Sequence, residues 1–94
     1  MGRRAPHPLD VLAVVEFVVE QAGCSSCAEL VRTALHEIAT VEAIEVDEEA
    51  DAAAVRLRSS DRISEDAVGR LLSEAAGSGH EYRVQPGSWR ALPL

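Results

Sequence analysis

Lysine is absent from this chain of 94 residues, so all nine of its basic residues are arginines. They are outnumbered by sixteen acidic residues, which leaves a formal net charge of −7. Proteins that bind nucleic acid need a clustered basic surface to neutralise phosphates, so this balance disfavours a nucleic-acid partner. The charge suits docking against a basic protein surface, although a solvated surface that keeps a small protein soluble is the simpler explanation.

Aromatic residues are scarce, with Phe17, Tyr82 and Trp89 the only three. The core must therefore be built from Val, Leu, Ile and Ala, which the hydrophobic fraction of 47% can supply. That fraction argues against a disordered chain. The length is enough for one modest core and too short for two, so we expect a single domain.

Long apolar runs are missing as well, and a bilayer-spanning helix needs about 20 such residues. The short apolar run at residues 11–19 follows two arginines, as in a secretion signal. Prolines and acidic residues interrupt that segment, and no small-residue cleavage site follows it. We therefore expect a cytoplasmic protein without stable membrane insertion. A flexible N-terminal tail is expected at residues 1–10 and a C-terminal tail at residues 86–94, with Trp89 either folding back on the domain or anchoring a partner.

The hydrophobic pattern of residues 11–85 predicts six elements in the order β-α-β-β-α-β. Strands are predicted at residues 11–20, 41–46, 53–57 and 82–84. A helical period begins near Ser26, and a second helix begins after Ser64, whose hydroxyl can cap it. The apolar stripe predicted for the first helix consists of Leu30, Val31, Ala34, Leu35 and Ile38.

This order of elements is typical of the α+β ferredoxin-like fold, a four-stranded antiparallel sheet with both helices on one face. The first strand and the strand near Ile44 are expected to occupy internal positions in the sheet, or positions close to internal ones. Val15, Phe17 and Val19 alternate with Glu16 and Glu20 along the first strand, which predicts a half-buried strand. The two glutamates are expected on the open face of the sheet, toward solvent.

Cysteine is limited to Cys24 and Cys27, which lie where the first strand gives way to the first helix. Backbone N–H groups at a helix N-terminus stabilise negative charge, so thiols at that position ionise more easily. Two thiolates three residues apart can converge on one soft ion such as Cu(I) or Zn(II). Because a closed structural zinc site takes four ligands, we expect an accessible, low-coordinate site in a domain that folds without metal.

The same spacing occurs in thioredoxin-like oxidoreductases. No Trp precedes Cys24, and the chain is too short for that fold. A small dithiol–disulfide reductase nevertheless stays the second hypothesis, with Cys24 as nucleophile and Cys27 resolving the mixed disulfide. A third alternative is that both cysteines are incidental small apolar residues.

Residues 21–31, Gln-Ala-Gly-Cys-Ser-Ser-Cys-Ala-Glu-Leu-Val, resemble the Gly-Met-Thr-Cys-x-x-Cys segment of the heavy-metal-associated domain family. Further similarities to its helices and second strand lie at residues 33–35, 41–46 and 63–67. The resemblance spans residues 14–84, and the family includes copper chaperones, domains of copper and zinc P-type ATPases, and mercury-binding proteins.

This resemblance implies a non-catalytic domain that binds Cu(I), with Zn(II) or Hg(II) as alternatives, through Cys24 and Cys27. It further implies transfer by ligand exchange to a metal-transporting P-type ATPase or another metal-binding domain. We expect a monomer, with a dimer bridged by the metal as the alternative.

Two positions near the motif differ from the family pattern or extend it. Ala22 replaces the family's Met, which packs beneath the site, so an interaction domain with a decayed metal site is a further alternative. His80 lies in the loop before the last strand, where some bacterial copper chaperones of the family carry a His. It is a candidate third ligand or a modulator of the thiolates, and a solvated loop His is the alternative.

Overall fold

Antiparallel strand pairing organises the domain in the computed structural model, which describes residues 13–60, 62–76 and 81–92. The elements are β1 (Ala13–Glu20), α1 (Ser25–Leu35), β2 (Thr40–Asp47), β3 (Ala52–Ser59), α2 (Glu65–Ala75), β4 (Arg83–Val84) and β5 (Arg90–Leu92). The sheet has the order β2-β3-β1-β4, with β5 also paired to β1. This arrangement confirms the α+β prediction and is consistent with a ferredoxin-like fold.

The core occupies one face of this sheet, as the alternation along β1 predicts. Val15, Phe17 and Val19 are almost fully buried there, whereas the intervening Glu16 and Glu20 lie on the other face and are only partly buried. β3 pairs with β1 along its whole length and adds buried side chains on the same face. The helices and β3 complete one apolar cluster with Val31, Leu35, Val55, Leu57, Val68 and Leu72.

Both helices begin at capping side chains that satisfy otherwise unpaired backbone N–H groups. Ser64 caps α2, as predicted, because its Oγ accepts a hydrogen bond of 3.0 Å from the N–H of Ala67. Glu65 and Asp66 follow the cap, and their negative charges stabilise the helix because they lie near the positive end of its dipole. At α1 the cap is Cys24, so the helix start and the cysteine motif are the same structural feature.

Charged side chains cover the open face of the sheet. The register of β2 against β3 shifts between Val41 and Ala43, and the carboxylate of Glu42 bonds to two arginines of β3. One of them, Arg56, lies 3.5 Å from Glu16 on β1. Exposed ion pairs of this kind add little stability. They do place opposite charges beside one another across β1, β2 and β3, on the face of the sheet that carries no helix.

The edge of β1 opposite β3 is paired by two short strands instead of one. Between β4 and β5 the chain makes a tight turn, in which Gly87 has a φ of +81° and the N–H of Ser88 donates to Gln85 C=O. Across the turn, Val18 donates its N–H to Ser88 Oγ at 3.0 Å and accepts from the Gln85 N–H at 2.7 Å. The backbone groups of β1 are therefore satisfied throughout the interruption.

Strand β5 lies inside the segment predicted to be an unstructured tail, which is incorrect for residues 90–92. A three-residue strand after a Pro-Gly turn is too short to show a period. Its partner is the free edge of β1, which is distant in sequence. Trp89 does fold back on the domain, as one of the two alternatives predicted, and stacks on Phe17 with ring centroids 5.1 Å apart.

Three other expectations need correction. β2 lies at the edge of the sheet, and β3 takes the internal position beside β1. Leu30 and Ile38 were assigned to the buried stripe of α1 but are 45% and 37% exposed. Ile38 is exposed because α1 ends at Leu35, so the helical period no longer applies to it.

The sequence also predicts that the second helix ends at Gly77. That position, the predicted N-terminal tail and His80 lie outside the described residues. Within the described part of the chain, no helix has the length and apolar character needed to cross a membrane.

Truncation of Leu35 tests the assignment of the buried stripe. Replacing this fully buried side chain with Ala should lower the free energy of unfolding by about 2–5 kcal/mol, because it removes apolar contacts and leaves a cavity. The matched Leu30→Ala change in the same helix should stay within about 0.5 kcal/mol of the wild type. Urea denaturation measures both, and equal losses would contradict the described orientation of α1.

Candidate functional site

Cys24 and Cys27 meet at the first turn of α1, where the sequence places them. Cys24 is the N-cap residue, with extended backbone angles, and its Sγ accepts a hydrogen bond of 3.2 Å from the N–H of Cys27. The two Cα atoms are 5.1 Å apart, and the sulfurs lie within disulfide distance. The Oγ of Ser26 lies 3.4 Å from the same Cys24 sulfur. The two sulfurs thus converge at a point where a backbone N–H already faces one of them.

The two cysteines differ in access to solvent. Cys27 is only 3% exposed and belongs to the apolar cluster between the sheet and α1. Cys24 is half-buried and packs on the border of that cluster. A reagent or partner approaching from solvent therefore meets Cys24 first, while Cys27 is held by the core.

The segment between β1 and α1 turns sharply before it reaches the cysteines. Gln21 has a φ of +63°, which reverses the chain after β1. Ala22, at the position of the family's Met, then points into the apolar cluster and is fully buried. Gly23 follows directly against the β2–β3 hairpin, where a Cβ would lie 2.5 Å from the Cα of Asp51. A glycine is therefore required by close approach of two backbones.

Asp51, the last residue of the turn between β2 and β3, forms two hydrogen bonds with this segment. Its backbone C=O accepts from the N–H of Gln21 at 2.8 Å, and its Oδ1 accepts from the N–H of Gly23 at 3.1 Å. The Oε1 of Gln21 in turn accepts from the N–H of Glu81 at 3.2 Å, just before β4. The sequence did not identify Asp51 or Gln21 as supports of the cysteine turn. Only the acidic character of residues 47–51 indicated a hairpin connection there.

Tyr82 lies in the core next to these elements and is 1% exposed. Its burial, together with the negative charge of Asp51, raises the pKa of its phenol above the usual 10.0. Tyr82 immediately precedes β4, at the first position of the strand predicted at residues 82–84.

The described residues supply two sulfur ligands and no larger set. No three His, Cys, Asp or Glu side chains among residues 13–60, 62–76 and 81–92 come close enough together to hold a metal ion. His80 lies outside these ranges, so its part as a third ligand stays a prediction. His36 is exposed at the C-terminal cap of α1, at the end of the helix away from the cysteines.

Comparison with known proteins returns no relative: no protein-family model, curated protein or solved structure matches this chain. What the site can do is therefore argued from its own chemistry, which is a pair of sulfurs at a helix N-terminus with one of them accessible.

Substitution of Gly23 tests the contact between the cysteine turn and the hairpin. Gly23→Ala should lower the free energy of unfolding by about 1–3 kcal/mol, because the new methyl group must displace backbone atoms of the hairpin. Gly69→Ala is the matched control. Gly69 lies inside α2 with open space around it, so the change should stabilise the protein by about 0.5–1 kcal/mol. Thermal or urea unfolding should show the opposite signs, and two changes of the same sign would contradict the contact.

The raised pKa of Tyr82 predicts a loss of stability at high pH. The folded protein holds the phenol proton more tightly than the unfolded chain, so stability is full below pH 10.0 and falls as the pH rises above it. The chain has no lysine and no other tyrosine, so few groups compete in this range.

Unfolding of the oxidised protein from about pH 8 to about pH 11 measures the effect without thiol titration. Tyr82→Phe should have a flatter dependence on pH over the same range. An equally steep decline in that variant would assign the loss to other groups.

Proposed function

We propose that the reduced Cys24–Cys27 pair binds one soft metal ion, with Cu(I) as the preferred cargo, and passes it to a partner by ligand exchange. The observation that supports this proposal best is the convergence of both sulfurs at the N-cap of α1. Thiolates are soft ligands that select ions such as Cu(I) over Mg²⁺ or Ca²⁺, and the N-terminal end of a helix favours their negative charge.

The small number of ligands favours Cu(I) or Hg(II) over Zn(II). Structural zinc is held by four ligands in nearly all cases, and catalytic zinc by three protein ligands. The described residues offer two sulfurs and no cluster of three potential ligands. A two-coordinate site satisfies a soft ion such as Cu(I) or Hg(II) and leaves it open to attack by a further thiolate.

The unequal burial of the two cysteines suits transfer. Cys27 anchors the ion from inside the core, whereas the half-buried Cys24 is the ligand that a partner thiolate can replace first. Exchange then proceeds through an intermediate in which sulfurs of both proteins hold the ion. The resemblance to the heavy-metal-associated family supports a metal-transporting P-type ATPase or another metal-binding domain as the partner. The function proposed is binding and transfer, without catalysis.

A thiol–disulfide oxidoreductase is the second candidate, and the disulfide distance between the sulfurs favours it. In that reaction the Cys24 thiolate attacks a substrate disulfide and releases one substrate thiol. The Cys27 thiolate then attacks Cys24 in the mixed disulfide, so the protein dithiol is oxidised and the substrate disulfide is reduced to two thiols. The accessible Cys24 and the buried Cys27 match the attacking and resolving roles.

A competition titration of the fully reduced protein tests the first candidate. One Cu(I) per chain should be held against a calibrated Cu(I) chelator, and Zn(II) should compete poorly in a parallel titration. Cys24→Ser should lower Cu(I) affinity by more than about 100-fold, since even residues that only support metal ligands typically account for 10- to 100-fold. Serine is itself a good N-cap, so the helix start and the fold should persist in this variant.

Cys27→Ala is the second variant, because alanine avoids burying a hydroxyl in the apolar cluster, and Ser25→Ala is the matched control at an exposed position of the same turn. Cys27→Ala should abolish tight Cu(I) binding, and Ser25→Ala should retain it. Absence of competitive Cu(I) binding by the wild type would overturn the metal-transfer proposal. The glutathione-linked reduction potential of the pair would then decide the oxidoreductase alternative.

A further inference from the structure

We propose that Asp51 is a positioning residue for the cysteine pair, acting through its carboxylate on the backbone of the turn that carries Cys24. This inference rests on the proposed function insofar as it concerns metal binding. It assigns a role in the site to the β2–β3 hairpin, which contributes no candidate ligand.

The turn is held by Asp51 at two successive points. The backbone C=O of Asp51 receives the N–H of Gln21 at 2.8 Å, which extends the β1–β3 ladder by one step beyond Glu20. The side-chain Oδ1 then receives the N–H of Gly23 at 3.1 Å, one residue before Cys24. One residue of the hairpin thus fixes the chain on both sides of the buried Ala22.

A close contact between the two backbones accompanies these hydrogen bonds. The Gly23 Cα lies so near the hairpin that an added Cβ would be 2.5 Å from the Asp51 Cα and 2.9 Å from the Ala52 N. Asp51 itself has a φ of +52°, a left-handed conformation that Asp and Asn tolerate better than most residues. The aspartate therefore meets two requirements, a left-handed backbone and a side-chain acceptor within reach of Gly23.

Gly23 directly precedes Cys24, so the position of the Gly23 backbone affects that of Cys24. The Cys24 sulfur caps α1 from an extended backbone conformation, and Gly23 is the residue that leads the chain into that position. Because residues that orient metal ligands typically account for 10- to 100-fold in affinity, loss of the Asp51 acceptor should weaken metal binding without removing a ligand.

Two substitutions separate the hydrogen bond from the backbone conformation and the charge. Asp51→Asn keeps an acceptor oxygen and tolerates the left-handed backbone, but removes the charge. Asp51→Gly tolerates the backbone without strain and removes the acceptor. Asp47→Ala is the matched control in the same hairpin, since the Asp47 carboxylate accepts from the N–H of Ala50 within the hairpin itself.

Three measurements apply to each variant: Cu(I) affinity by chelator competition, exchange of the Gly23 amide hydrogen by NMR, and the disulfide equilibrium with glutathione. We expect Asp51→Gly to weaken Cu(I) binding about tenfold and to lose protection of the Gly23 amide. Asp51→Asn and Asp47→Ala should stay close to the wild type in both. Retention of Cu(I) affinity and Gly23 protection by Asp51→Gly would overturn the proposal, as would equal losses in Asp51→Asn or Asp47→Ala.

Failure of the proposed function gives a different result. If the wild type binds no Cu(I), the amide exchange and the disulfide equilibrium still test Asp51. In that equilibrium the protein dithiol is oxidised to the disulfide while glutathione disulfide is reduced to two glutathione thiols. A shift toward the dithiol in Asp51→Gly alone, together with lost Gly23 protection, would support positioning of the pair without metal. An unchanged equilibrium and unchanged protection would overturn it.

Discussion

The contact of Gly23 with the β2–β3 hairpin is the constraint that joins the fold to the candidate site. Two backbones approach there too closely for any side chain but hydrogen at position 23. The contact exists because β3 pairs with β1 in register up to Glu20 opposite Ala52, which brings the end of the hairpin beside the turn that follows β1. Sheet register thus determines where α1 begins, and the start of α1 determines where the cysteines meet.

Strand β1 is central to this arrangement. It pairs with β3 on one side and with both β4 and β5 on the other, and it contributes Val15, Phe17 and Val19 to the core. The turn between β4 and β5 keeps the backbone of Val18 hydrogen-bonded where a regular strand would be interrupted. A strand that is paired on both edges and buried on one face is the least mobile part of a small sheet. The turn that follows β1 therefore starts from a well-defined position.

Sequence could predict the features that depend on local periodicity and capping. The alternation of Val15, Phe17 and Val19 identified the buried face of β1, and Ser64 identified the start of α2. Sequence could not predict β5, because three residues after a Pro-Gly turn carry no period and depend on a partner strand some 75 positions away in the numbering. The exposure of Leu30 was missed for a related reason, since a helical stripe shows which face is apolar but not how far the neighbouring helix covers it.

The sequence identified the cysteine pair by its spacing and its place before the first helix, but it did not identify the residues that support the pair. Cys24 and Cys27 lie only three residues apart in sequence, so one helical turn is enough to bring them together. Asp51 and Gln21 support the same turn from residues that meet only through the register of the sheet.

The chemistry of the pair follows from its position at the boundary between core and solvent. As a disulfide the two sulfurs have no thiolate to offer a metal ion, so metal binding and disulfide formation exclude each other at this site. The N-terminal end of α1 favours negative charge on the Cys24 sulfur, which already accepts the N–H of Cys27, and both candidate functions require a thiolate there. What separates the two functions is the group that approaches Cys24, because a soft ion is retained by both sulfurs, whereas a substrate disulfide is released once Cys27 has attacked. Burial of Cys27 serves both outcomes, since it keeps the second sulfur in place while the first reacts.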